Sequence, residues 1–226
     1  MNKYSKLDLY FLINSSYKLN NIAIILYYIM ANNDRKIPYN LENPIDNVII
    51  FVGKKFYSLF KKLNFTPNHL TLISMILGLM SIYSFYKQNY ILASILYFVS
   101  YCFDVFDGNY ARTYNMVTEF GDSFDHIKDL LINIIFFSVF FKYTTLKNYK
   151  IYILISIILF ILMSVHLGCQ EQYVRKNDPK NISAYLIALS PMCEKKNSIN
   201  NMKILKFVGC GTFAIWVSIM ILLHKF

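Results

Sequence analysis

Charge is scarce in this sequence. Only 16% of its 226 residues are Asp, Glu, Lys or Arg, 56% are hydrophobic, and mean hydropathy is +0.37. A soluble domain of this length needs far more charge to cover its surface, so that class is excluded. Cysteine offers no scaffold either. Cys102, Cys169, Cys193 and Cys210 form no C-x-x-C pair and no zinc-like spacing. Cys102 and Cys210 lie in apolar stretches, where a thiol behaves as a small hydrophobe, and no disulfide framework is expected. A signal peptide is not expected, since Ile22–Ala31 is short and no cleavage pattern follows it. The formal charge is +10, yet Lys and Arg are dispersed through loops and build no contiguous basic face. Nucleic acid is therefore not an expected partner. A surface drawn to anionic lipid accounts for the charge more simply.

What the chain does have is a series of apolar runs near the length that spans a bilayer. Residues 70–86, 90–112, 124–141, 149–168 and 204–224 read as spans. Before them, Ile45, Val48, Ile49, Val52, Phe56, Leu59, Phe60 and Leu63 recur at helical spacing, with Lys54, Lys55, Lys61 and Lys62 beside them. That pattern suits an amphipathic helix in the membrane interface, started by Pro44 and by Asp46 near its positive end. The expected fold is all-α: a polytopic transmembrane helical bundle of five to six spans, preceded by an amphipathic interfacial helix. The expected division is an N-terminal extension over 1–43, the interfacial helix over 44–63, and a transmembrane domain over 64–226 whose chemistry centres on 100–130. The many Phe and Tyr residues serve lipid contact and interfacial anchoring.

Lys and Arg in short loops set the orientation. The segment just before the first span holds four lysines, Lys54, Lys55, Lys61 and Lys62, and residues 169–206 carry seven basic residues against three acidic ones. Both segments are expected on the cytoplasmic side, and with them the turn between the second and third spans. The protein is thus expected to be a multi-pass membrane protein with its site at the cytoplasmic face.

That turn carries the most unusual residues. Five of the nine aspartates fall between Asp104 and Asp129, flanked by apolar helices. Ionisable groups in such places point to function. Asp104 and Asp107 stand at i, i+3, and Asp125 and Asp129 at i, i+4, so each pair shares a helix face, and the short connection makes the helices antiparallel neighbours. Four carboxylates without an obvious histidine ligand suit magnesium, manganese or calcium rather than zinc. Two divalent ions would neutralise them, in the arrangement that clamps the oxygens of a phosphoryl displacement. Gly108 and Ala111 remove bulk from the same face, and Arg112 is a fixed cation suited to phosphate. His126 is expected to be structural or supporting, and Glu119 and Asp122 solvated or capping.

The spacing D-x-x-D-G-x-x-A-R, eight residues, then G-x-x-x-D-x-x-x-D resembles the CDP-alcohol phosphatidyltransferase family. It is matched by Asp104, Asp107, Gly108, Ala111, Arg112, Gly121, Asp125 and Asp129. Asn43–Asp46, Thr66–Leu72 and Phe124-Asp125-His126 are similar to its choline and ethanolamine phosphotransferase branch, so the resemblance covers roughly residues 43–142. The resemblance implies that Asp104 and Asp125 bridge two ions, Mg2+ or Mn2+. Asp107 would ligate one and Asp129 the other, with Asp129 also the general base. Gly108, Ala111, Arg112, Thr118 and Gly121 would line the site of the CDP moiety. The implied reaction transfers a substituted phosphate from a CDP-alcohol to an alcohol or diacylglycerol, releasing CMP in phospholipid biosynthesis. An aminoalcohol phosphotransferase is the favoured branch, and a CDP-diacylglycerol-dependent enzyme acting on inositol, serine or glycerol phosphate is the alternative. Membrane lipid is the expected surrounding partner, and a homodimer is compatible with the family. From the residues alone, a cation transporter also explains intramembrane carboxylates, although Gly108, Ala111 and Arg112 then lack a role, and a non-catalytic scaffold leaves the aspartate spacing unexplained.

Overall fold

The computed structural model describes residues 35–144, 149–177, 193 and 198–225. The short apolar run Ile22–Ala31 lies outside them. Helix α1 spans Pro44–Lys62, and its start follows from local chemistry. The Asn43 side chain accepts from the Ile45 amide, Pro44 occupies the first turn, Asp46 sits at the positive end, and Lys61 and Lys62 sit at the negative end. One face, with Ile49, Ile50, Gly53 and Tyr57, is buried, while Val48, Phe51, Val52, Phe56 and Leu59 stay exposed. The apolar stripe expected from spacing is therefore divided between the bundle and the outside. Gly53 is where α1 comes closest to the bundle, since a Cβ there would lie 2.5 Å from the Phe106 ring.

Helix α2 runs Pro67–Tyr86, α3 Tyr90–Thr113 and α4 Glu119–Tyr143. Short turns join them, and Asn64, Gln88 and Asn115 take the left-handed backbone that such reversals require. His69 Nδ1 accepts from the Thr66 amide, Asn89 caps Leu92, and the Thr118 hydroxyl caps Gly121. Helix α5 spans Tyr149–Asn177 and α6 Ser198–Leu205, followed by a 3-10 turn over Lys206–Val208. Helix α7 covers Cys210–Leu222 and ends in a further 3-10 turn over Leu223–Lys225. The described residues contain no strand. The all-α expectation holds.

The α2–α3 hairpin is the most extensively packed pair of helices. Small residues permit this: Ser81 Oγ donates to the Ala93 carbonyl at 2.7 Å, and Ser100 Oγ to the Ser74 carbonyl at 2.7 Å. Helices α4 and α7 complete the core through Phe85, Phe136, Phe140, Val217 and Met220. Among the described residues, four helical stretches are long and apolar enough to cross a membrane: Pro67–Tyr86, Tyr90–Thr113, Tyr149–Val174 and Ile199–Leu222. Helix α4, expected as a fifth, is not among them because its first half carries Glu119, Asp122, Asp125, Lys128 and Asp129. Its outer face is nonetheless apolar, with Ile127, Leu130, Ile134 and Phe141 exposed. The chain is an integral, multi-pass membrane protein by these helices and by the family reported below.

One expectation needs correction. Cys169 and Cys193 form a disulfide, with Cα atoms 5.4 Å apart. No sequence motif announces it, because the two residues meet only where the end of α5 packs against Met202, Ile37 and Leu41. Residues 35–43 pack onto the rest of the described chain. Ile37, Leu41 and Asn43 are buried, and Asn43 Nδ2 donates to the Lys206 carbonyl at 2.6 Å and to Thr212 Oγ1 at 2.9 Å. This ties the start of α1 to the break before α7. A Cβ on Gly211 would lie 2.5 Å from Asp46 Oδ1, so only glycine fits the contact.

Asp46 Oδ1 also accepts from the Tyr101 hydroxyl at 2.5 Å. Burial, reinforced by Glu42, pushes the Asp46 carboxyl up to about 7. Because its folded value is raised, its stabilisation is complete below the unfolded carboxyl value and lost as pH rises through about 7. Asp46→Asn should therefore make the fall in Tm between about pH 4 and pH 7 shallower, measured by thermal melts in detergent. An unchanged slope would contradict this.

Candidate active site

Helices α3 and α4 bring the predicted aspartates together at one end of the bundle. Asp104, Asp107 and Asp125 each offer a carboxylate oxygen, all within 4.8 Å of one another. That donor set suits a hard divalent cation. Asp107 is the most deeply placed, and Thr71 Oγ1 of α2 donates to its Oδ2 at 2.6 Å. Asp129 is not part of that trio. It lies beside it, 47% exposed, with Oδ1 2.8 Å from Lys128 Nζ. Lys128 also pairs with Asp104 and stands 3.1 Å from Asp125 Oδ1.

A polar pocket of about 230 Å³ opens over this cluster. All five residues expected to surround the nucleotide, Gly108, Ala111, Arg112, Thr118 and Gly121, line it. A Cβ on Gly108 would meet nothing nearer than the Arg112 guanidinium, at 3.4 Å, so the space above that backbone is open apart from this one cation. Thr118 has a second task as the N-cap of α4. The far wall was not foreseen. It is made by Lys36, Glu42 and Gln170, with Gln170 Nε2 3.4 Å from Glu42 Oε1 and Lys36 paired to the buried Glu171. Burial pushes the Glu42 carboxyl up, against the Asn43 amide and the positive charges of Arg112, Arg35 and Lys36.

A larger cavity of about 910 Å³ adjoins the pocket and is mostly apolar, lined by Tyr97, Ile132, Phe137, Ile157, Phe160 and Phe213 among others. Asp129 and Asn133 face it, and Asn133 Nδ2 donates to the Asp129 carbonyl at 2.8 Å. The two spaces share Tyr101, Asp104, His126, Leu167 and Cys210. His126 stands 3.6 Å from Asp122 at i, i+4. An apolar space and a polar one thus meet over the carboxylates.

Residues 64–225 match the model of the CDP-alcohol phosphatidyltransferase family. The chain belongs to this family. Two relatives are an archaetidylinositol phosphate synthase of Pyrococcus horikoshii and a CDP-diacylglycerol–glycerol-3-phosphate 3-phosphatidyltransferase of Rickettsia felis. The first is 36% identical over 96 residues, which is 42% of this chain and 47% of the relative. The second is 39% identical over 69 residues, which is 29% of this chain and 38% of the relative. The chain therefore matches less than half the length of either. No solved structure matches it significantly.

Two residues that touch the carboxylates, Lys128 and Thr71, were not foreseen either. Lys128 had a visible signal, a lysine within an aspartate-rich helix end. Thr71 had none, because its role depends on how α2 packs on α3. If Thr71 orients Asp107, Thr71→Val should weaken Mn2+ binding by about 10- to 100-fold, as loss of an outer hydrogen bond does at metal sites. Titration of the detergent-purified protein measures this, and unchanged affinity would remove Thr71 from the site.

Proposed function

We propose that the protein transfers a substituted phosphate from a CDP-alcohol to an acceptor hydroxyl, releasing CMP, as a step in phospholipid synthesis. The observation that carries this reading is the meeting of the polar pocket and the apolar cavity at Asp104, with Asp129 on the cavity side. Gly108, Ala111, Arg112, Thr118 and Gly121 would hold the nucleotide, with Arg112 opposing the charge of its phosphates. Asp104, Asp107 and Asp125 would hold a divalent cation, Mg2+ or Mn2+, and the donor set fits one. When bound, that cation supplies positive charge to the phosphate oxygens.

Asp129 is the residue we assign as general base. Its carboxylate is half exposed and faces the cavity from which an acceptor would approach. As the acceptor oxygen forms its bond to the phosphorus that carries the donor's alcohol, its proton passes to Asp129. The bond from that phosphorus to the CMP oxygen breaks, and CMP leaves with the electron pair.

Of the two branches, we favour a CDP-diacylglycerol donor and a small phosphorylated polyol acceptor. Both relatives are named for products or acceptors of that kind, and neither is named for an aminoalcohol. The apolar cavity is suited to acyl chains, and the polar pocket to water-soluble groups. The lysines before α2 favour a cytoplasmic position for the site.

Purified protein supplied with Mg2+ should release CMP from CDP-diacylglycerol when glycerol 3-phosphate or inositol phosphate is present. Asp129→Asn should lower turnover by about 100-fold or more while leaving binding of the CDP-alcohol largely intact. Turnover with CDP-choline or CDP-ethanolamine and diacylglycerol instead would assign the aminoalcohol branch. Release of CMP from no CDP-alcohol would sink the proposal.

A further inference from the structure

The family resemblance leads one to expect two ions, the second held by Asp104, Asp125 and Asp129. A lysine ammonium already occupies that corner. Lys128 Nζ pairs with Asp104, lies 2.8 Å from Asp129 Oδ1 and 3.1 Å from Asp125 Oδ1, and reaches Ser74 Oγ at 3.4 Å. These carboxylates are the three that a second ion would need, and Asp107, the remaining one, is turned to Thr71. The Lys128 side chain is 2% exposed. Behind it are the packed hydroxyls of Ser74 and Ser100, and the outer side of α4 presents Ile127, Leu130 and Leu131.

We propose that Lys128 is a resident cation that takes the place of the second ion, so that the chain holds one divalent cation, at Asp104, Asp107 and Asp125. The charges support this. Four carboxylates against one ammonium and one divalent ion leave a single net negative charge, so most of the repulsion among them is relieved without a further ion. An ion added among Asp104, Asp125 and Asp129 would have to share their oxygens with the ammonium, against like-charge repulsion in a poorly solvated place. The ammonium also performs part of the second ion's task, since it fixes Asp129 beside Asp104. Unlike an ion, it cannot be lost by dilution or chelation.

This inference rests on the metal-binding part of the proposed function and is tested apart from turnover. Mn2+ is titrated into the full chain purified in detergent, with bound ions counted and the electron paramagnetic resonance spectrum recorded. The wild type should bind one Mn2+ per chain and give the signal of an isolated ion. Asp129→Asn should leave that count at one, and Asp107→Asn should abolish it. Lys128→Met, which keeps the apolar stem, and Lys128→Gln, which keeps a polar end, should bind two ions with a spin-coupled signal. Two coupled ions on the wild type would overturn the inference while leaving the proposed function standing. A count of one on both Lys128 variants, or a count of zero on both, would also overturn it, because Lys128 would then not be what excludes the second ion. No Mn2+ on the wild type would defeat the metal reading itself, and CMP release measured separately would show whether the reaction survives it.

Discussion

Several carboxylates held close together at the poorly solvated end of a helical bundle must be neutralised, and the rest of the site is arranged around that requirement. Water is a weak remedy there, because the helices exclude it and charges at short range interact strongly. The described residues meet the requirement in three ways. Lys128 supplies a fixed positive charge to Asp104, Asp125 and Asp129, Thr71 supplies a hydrogen bond to Asp107, and the remaining oxygens of Asp104, Asp107 and Asp125 converge where a divalent cation fits. Each needs α2, α3 and α4 close together, which Ser74, Gly78 and Ser100 make possible. A Cβ on Gly78 would lie only 3.2 Å from Ile132 and Ser100.

A second layer of polar contacts carries this rigidity outward. Asn43 joins the first turn of α1 to Lys206 and Thr212, and Asp46 joins α1 to Tyr101 of α3, whose ring lines both the polar pocket and the apolar cavity. The break in the last span at Lys206–Gly209 is what lets α7 begin beside these residues. Lys36, Glu42 and Gln170 then close the pocket from a side that the aspartate motif does not reach. Helix α1 contributes Asp46 and Ile50 to the same wall.

The chemistry-bearing helix ends were legible in the sequence because spacing on a helix dictates direction. Asp104 with Asp107, and Asp125 with Asp129, fall on common faces, and Gly108 and Arg112 follow at helical intervals. The five residues that the family resemblance places around the nucleotide all line one pocket. What depends on packing between distant segments was not legible. Thr71 meets Asp107 across 36 positions, Lys36 meets Glu171 across 135, and Cys169 meets Cys193 where α5 ends near α6. Lys128 is the instructive case. A charged residue on a helix is ordinarily read as solvated, and only the position of α2 turns this one inward. Helix α4 shows the converse, since the charges that build the site also keep it below the hydropathy of an ordinary span.

The central claim is that the carboxylates of α3 and α4 hold a divalent cation beneath a nucleotide pocket, with Lys128 as a neighbouring charge. Diffraction from crystals grown with Mn2+ and a CDP-alcohol, recorded at the manganese absorption edge, tests it most directly. The account predicts an anomalous peak among Asp104, Asp107 and Asp125, the nucleotide against Gly108 and Arg112, and the Lys128 ammonium still beside Asp129. A peak seated among Asp104, Asp125 and Asp129 with Lys128 displaced, or no peak within reach of these carboxylates, would contradict it.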